Sequence, residues 1–183
     1  MNIQQKIFIS ILIFFSVMLQ AAFLPNFFPT GVVPNILLVI VVFYTFSLGF
    51  NSIWKAVFGV GIFLDLISFS LVGMNALALI LVAFISSILT RRFLILHSNW
   101  KFIIIIILVT VGTAVNELVP ALVTEALFFL KIGISGYFNL SFHSLWLKII
   151  YNIIIFMLLY WPFKKIEKAV RLYGNQVNIQ RNV

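Results

Sequence analysis

Cysteine is absent from the chain, which excludes a disulfide framework and any thiolate-ligated metal centre. Charge is scarce as well: 9% of the 183 residues are charged, while 63% are hydrophobic. A soluble domain carries about 25% charged residues, because water must solvate most of its surface. With a mean hydropathy of +1.20, this chain cannot build such a surface, and lipid must be its solvent over most of its length. The motifs of common chemistries are missing too. There is no Ser/His/Asp arrangement, no His-Glu-x-x-His, no phosphate-binding loop and no Gly-x-Gly-x-x-Gly. The Gly-x-Ser-Gly loop of membrane serine proteases is also lacking, and His97 and His143 lie too far apart to suggest a metal site. A non-enzymatic protein without a cofactor is expected.

What remains is a succession of apolar runs. They predict an all-α membrane protein, a single domain over residues 1–183 with six transmembrane helices. The spans fall at about 7–24, 35–50, 53–71, 75–90, 102–123 and 145–163, followed by a basic tail over 164–183 that is expected to fray. The first run ends on Leu19-Gln20-Ala21-Ala22-Phe23-Leu24-Pro25, a poor small-residue cleavage site, so it reads as an uncleaved helix. The second span is short for a bilayer. Pro120 should bend the far end of the fifth, and residues 124–144 read as an amphipathic connection along the interface.

The net charge of +8 has a lipid explanation rather than a nucleic-acid one. With the N-terminus in the cytoplasm, Lys6, Lys55, Arg91, Arg92, Lys101, Lys164, Lys165, Lys168, Arg171 and Arg181 all fall on the inner side. Only Lys131 and Lys148 fall on or near the outer side, so the positive-inside bias places both termini in the cytoplasm. Arg91, Arg92, Lys164, Lys165, Lys168 and Arg171 are the expected contacts to anionic headgroups.

Ionisable groups inside the spans cost roughly 2.5–3.5 kcal/mol each on insertion scales, so each needs a partner. Asp65, Glu117 and Lys148 fall at similar depth in the outer third, and they suggest a buried polar cluster. Lys148 can pair with Asp65 or with Glu117. In the second case Asp65 must be satisfied by backbone or hydroxyl groups near the turn at Gly73. Gly59 and Gly61 would let a neighbouring helix approach closely, and Asn75 would cap the fourth span.

From Pro34 to Arg92 the sequence resembles the MreD family of bacterial rod-shape-determining proteins. The resemblance rests on Pro34-Asn35-Ile36-Leu37-Leu38, on Gly59-Val60-Gly61-Ile62-Phe63-Leu64-Asp65, on Leu71-Val72-Gly73-Met74-Asn75-Ala76-Leu77, and on the pair Arg91-Arg92. The two glycines are closer together than is usual in the family, Val72 stands where Leu is common, and residues from Lys101 onward carry no distinguishing motif. The resemblance implies an inner-membrane component of the cell-elongation machinery that binds MreC, a bitopic protein. Through it the chain would connect indirectly to MreB, RodA and a class B penicillin-binding transpeptidase. It also implies a fold similar to the substrate-binding components of energy-coupling-factor transporters, which makes a small-molecule-binding membrane protein the alternative. That alternative expects an Ala-x-x-x-Ala face in the first span, which residues 7–23 do not contain.

Overall fold

A computed structural model describes residues 11, 14–28, 32–93, 101–129 and 142–181. Among them every regular element is helical. We number these α1 (Phe14–Phe27), α2 (Ile36–Leu48), α3 (Phe50–Ile67), α4 (Met74–Phe93), α5 (Lys101–Phe129) and α6 (Phe142–Arg181). Four segments, Phe50–Ile67, Met74–Arg92, Lys101–Leu127 and His143–Lys165, are long and apolar enough to cross a membrane. Phe14–Phe27 and Ile36–Leu48 are apolar but shorter.

The short helix α2 is the centre of the molecule. Its 13 residues give about 20 Å of helix, less than the roughly 30 Å hydrocarbon core. Every residue from Leu37 to Thr45 is buried, as befits a helix that is apolar all round. Helices α3, α4, α5 and α6 all pack on it. Gly112 of α5 admits this packing: a methyl group there would meet Val82 at 3.1 Å and Val42 at 3.4 Å. Aromatic rings close the end of the core near the C-terminus of α2, where Phe43 lies 5.2 Å from Phe163, centroid to centroid, and Phe102 lies 5.1 Å from Tyr160.

Helix α1 is a less regular element. A π-helical turn at Leu19–Phe23 runs into Pro25, and of the α1 side chains Val17 is buried in the main core, with Ala21 packed against it. Gly49, with φ +80°, separates α2 from α3, so the two helices meet at one residue.

Several helix ends depart from the sequence-based boundaries. Helix α3 stops at Ile67, not near 71, because Asp65 draws the chain into a turn over Ser68–Gly73. Helix α5 continues through Pro120 to Phe129, so residues 124–129 extend the helix beyond the end expected near 123. Helix α6 runs through Pro162 to Arg181, so the helical continuation expected over Lys164–Arg171 extends into the polar part of the tail, which was expected to fray. The expected interfacial segment over 130–141, with Lys131, and the N-terminal segment with Lys6 lie outside the described residues.

Candidate functional site: two buried polar clasps

The first clasp is built on the α3–α4 hairpin. Asp65 is fully buried, at 0% exposure, two residues before the end of α3. A buried carboxylate must find donors, and Asp65 finds all of them within ten residues of itself. Its Oδ1 accepts from Ser70 Oγ at 2.8 Å, from the Asn75 backbone N–H at 2.9 Å and from Asn75 Nδ2 at 2.9 Å. Its Oδ2 accepts from the Gly73 N–H at 2.8 Å. The Gly73 amide immediately precedes α4 and the Asn75 amide lies in its first turn, so Asp65 caps the following helix from the end of the preceding one. Negative charge at that position is also favoured by the helix dipole, typically by about 0.3–1 kcal/mol.

The turn between the helices is shaped to deliver those donors. Gly73 adopts φ +97°, a conformation open to glycine at no steric cost. Phe69 adopts φ +51°, which costs of order 1–3 kcal/mol for a bulky residue, and the bonds around it hold it there. Ser70 N–H also returns to the Asp65 carbonyl at 3.2 Å. Asn75 therefore acts differently from the expected cap. It donates to Asp65 and, at 3.3 Å, to Ser70 Oγ, while Asp65 does the capping.

The close approach that holds the hairpin together lies at Gly61. A Cβ placed there would sit 2.2 Å from the Ala76 Cα, so α3 and α4 touch backbone to backbone. The expectation for Gly59 fails, because Gly59 is exposed and a Cβ on it meets nothing within 4 Å. Two residues along a helix is a rotation of about 200°, so the two glycines cannot share a face.

The second clasp joins four helices at the N-terminus of α2. This end starts inside the protein, where unmet N–H groups in a membrane cost several kcal/mol each. Each has a partner. Asn35 N–H donates to Asn152 Oδ1 of α6 at 2.7 Å, and Leu37 N–H donates to Gln20 Oε1 of α1 at 3.0 Å. The Asn35 side chain accepts from Leu38 N–H at 2.9 Å as an N-cap. Asn152, itself buried, then donates through Nδ2 to Thr113 Oγ1 of α5 at 2.9 Å. The Pro-Asn opening of α2 is thus the anchor of a network reaching α1, α5 and α6.

One helical turn beyond Thr113 and Asn152 stand Glu117 and Lys148. Lys148 Nζ donates to Glu117 Oε2 at 2.7 Å, with side chains 26% and 15% exposed. Of the two pairings that the sequence allowed, this is the one formed, and Asp65 is met by neutral donors around Gly73. The three ionisable residues do not make one cluster. Asn116, next to Glu117, has a buried amide oxygen without a partner among the described residues.

Gln20, Thr113, Asn152 and Ser70 carry much of this geometry and were not singled out in the sequence. A signal was present. Thr113 and Glu117 are four residues apart on α5, as are Lys148 and Asn152 on α6, so each pair lines one helix face. Of the expected headgroup contacts, Arg91 and Arg92 are exposed at the end of α4. Lys164 lies 5.8 Å over the Tyr160 ring and Lys165 lies 4.8 Å over the Trp161 ring. Lys168 and Arg171 lie on the helical continuation of α6.

The family model for the rod shape-determining protein MreD matches residues 1–170. The chain belongs to the MreD family. It is accordingly a cell-shape-related protein, and its four long apolar helices are those of a multi-pass membrane protein. No curated protein and no solved structure matches the chain. Within this MreD family member, the three segments that carried the resemblance are structural joints. Pro34-Asn35 opens the buried end of α2, Gly61 is the backbone contact, and the Asp65 and Gly73–Asn75 positions form the hairpin clasp.

Proposed function

We propose that the protein is a non-enzymatic scaffold in the bacterial inner membrane, a bundle of six spans with both termini cytoplasmic, that binds an MreC-like bitopic protein. Through that partner it helps control peptidoglycan synthesis and rod shape, with MreB, RodA and the class B transpeptidase engaged indirectly. Family membership supports the reading. The observation that carries it is how the polar side chains inside the bundle are used. Asp65 is surrounded by donors of its own hairpin, Glu117 holds Lys148, and Asn152 holds the end of α2. These bonds hold helices to one another, and a rigid docking surface for another membrane protein is what such an arrangement provides. A ligand-binding component would instead turn Asp65, Glu117 and Lys148 toward one shared space, and here Asp65 and the Glu117–Lys148 pair belong to different helix contacts.

The test is co-purification. A tagged chain solubilised in mild detergent should bring down the MreC-like protein from the same membranes in comparable amount. Recovery of the chain free of that protein, but with a stoichiometric small molecule found by mass spectrometry, would sink the scaffold reading. Reporter fusions at Asn51 and Ser98 should read cytoplasm, and a fusion near Gly136 should read the outside. A cytoplasmic Gly136 would rule out the six-span topology.

A further inference from the structure

The turn that links α3 to α4 carries the most exposed large apolar side chain of the described residues. Phe69 is 96% exposed, and Val72, Leu66 and Leu71 stand out beside it. Such a tip facing water would be a liability, and a water-facing turn between membrane helices is ordinarily polar or charged. Here, between Lys55 and Arg91, the sequence holds a single ionisable residue, Asp65, and that one is buried.

Length points the same way. Lys55 and Arg91 lie at the same end of the hairpin and mark one membrane interface. From Lys55 to Phe69 is about 21 Å of rise, and from Arg91 back to Met74 about 26 Å. The hydrocarbon core is roughly 30 Å thick, and helix tilt only shortens the reach across it. The tip therefore ends at or beneath the opposite hydrocarbon boundary. Hydrogen bonding lowers the cost of that depth: Ser68, Ser70, Gly73, Met74 and Asn75 each place their backbone N–H on an acceptor within the hairpin.

We infer that the Ser68–Gly73 turn is submerged in the lipid leaflet opposite Lys55 and Arg91, where Phe69, Leu71 and Val72 contact acyl chains. In this view Asp65 does the work that water does for an ordinary interhelical turn. It supplies acceptors to donors that would otherwise face hydrocarbon, and it does so from a buried position that keeps the tip free of charge. The lipid contact sets the depth of the hairpin, since the apolar tip resists being raised into water.

The absence of native cysteine allows a direct measurement. Phe69→Cys and Val72→Cys, in the full chain reconstituted alone into liposomes, are each labelled with a nitroxide. Collision with oxygen is compared with collision with a water-soluble nickel chelate. Phe58→Cys, exposed near the middle of α3, and Asn51→Cys, at the basic end, are the hydrocarbon and water references. Labels at 69 and 72 should follow Phe58, favouring oxygen. Both cysteines should also react with a charged maleimide more than about tenfold slower than Asn51→Cys, because the reactive thiolate is disfavoured in hydrocarbon. Access of the nickel chelate equal to that at Asn51 would place the turn in water and overturn the proposal. Low access to both reagents would mean that a second copy of the chain covers the tip, and would overturn it as well. Val72→Cys guards against a folding defect specific to Phe69.

Discussion

Asp65 and Glu117 are carboxylates of neighbouring length within apolar helices, and the fold treats them in opposite ways. Asp65 is wholly buried and held by four bonds from neutral donors, all local in sequence. Glu117 is part-exposed and held by one cation from another helix. The difference follows from side-chain reach and from what lies nearby. A short aspartate two residues from the end of α3 sits beside a helix N-terminus, whose free N–H groups are ready acceptor-seekers. A longer glutamate in the middle of α5 has no such amides, since its neighbours' N–H groups are already bonded within the helix, and only a long lysine can reach it. One clasp therefore shapes a turn, while the other ties two helices together.

The strongest way to break the comparison is to remove the acceptor that the hairpin cannot replace. Asp65→Leu strands Ser70, Gly73 and two donors of Asn75, at about 1–3 kcal/mol for each buried orphan. A loss of roughly 4 kcal/mol or more in unfolding free energy is expected, read by steric trapping in bicelles. A loss below about 1 kcal/mol would show that water reaches the turn and replaces Asp65.

The next effect tests the contact that brings Asp65 to its donors. Gly61→Leu drives a side chain into the Ala76 backbone, and overpacking of this kind costs typically about 1–3 kcal/mol, with the upper end expected here because the obstacle is main chain. Gly59→Leu meets open space and should be within about 0.5 kcal/mol of wild type. Equal melting temperatures for the two variants in detergent would refute the assignment of Gly61 as the point of closest approach.

The smallest effect sharpens the contrast between the carboxylates. Lys148→Met and Glu117→Gln should each cost about 1–2 kcal/mol, less than a fully buried pair, because both side chains are partly exposed. The double variant should recover part of that loss. In the matching cycle, Asp65→Asn and Lys148→Met share no partner and should add within about 0.5 kcal/mol. Coupling of Lys148 to Asp65 as large as its coupling to Glu117 would overturn the separation of the two clasps.

Much was legible before any tertiary contact was known, and particular residues show why. Apolar runs and the scarcity of charge announce membrane helices, because the cost of backbone and charge in lipid acts on every residue independently of its neighbours. The turn at Gly73 and the need of Asp65 for donors could be read because all of that chemistry lies within about ten residues. Element ends were less legible where a side chain pulls the chain out of helix, as Asp65 does after Ile67, or where helix continues through Pro120 and Pro162.

The sequence by itself determined the solvent, the helical class, the sorting of basic residues and the family-like hairpin. Each is a property of composition or of short-range spacing. Only the tertiary structure decided that Lys148 takes Glu117 and not Asp65, that Gly61 and not Gly59 touches α4, and that Gln20, Asn152 and Thr113 close the buried end of α2. Those choices depend on the rotation of each helix about its own axis and on residues up to 117 positions apart. Two carboxylates in apolar helices look alike along a chain, and packing decides which of them a lysine can reach.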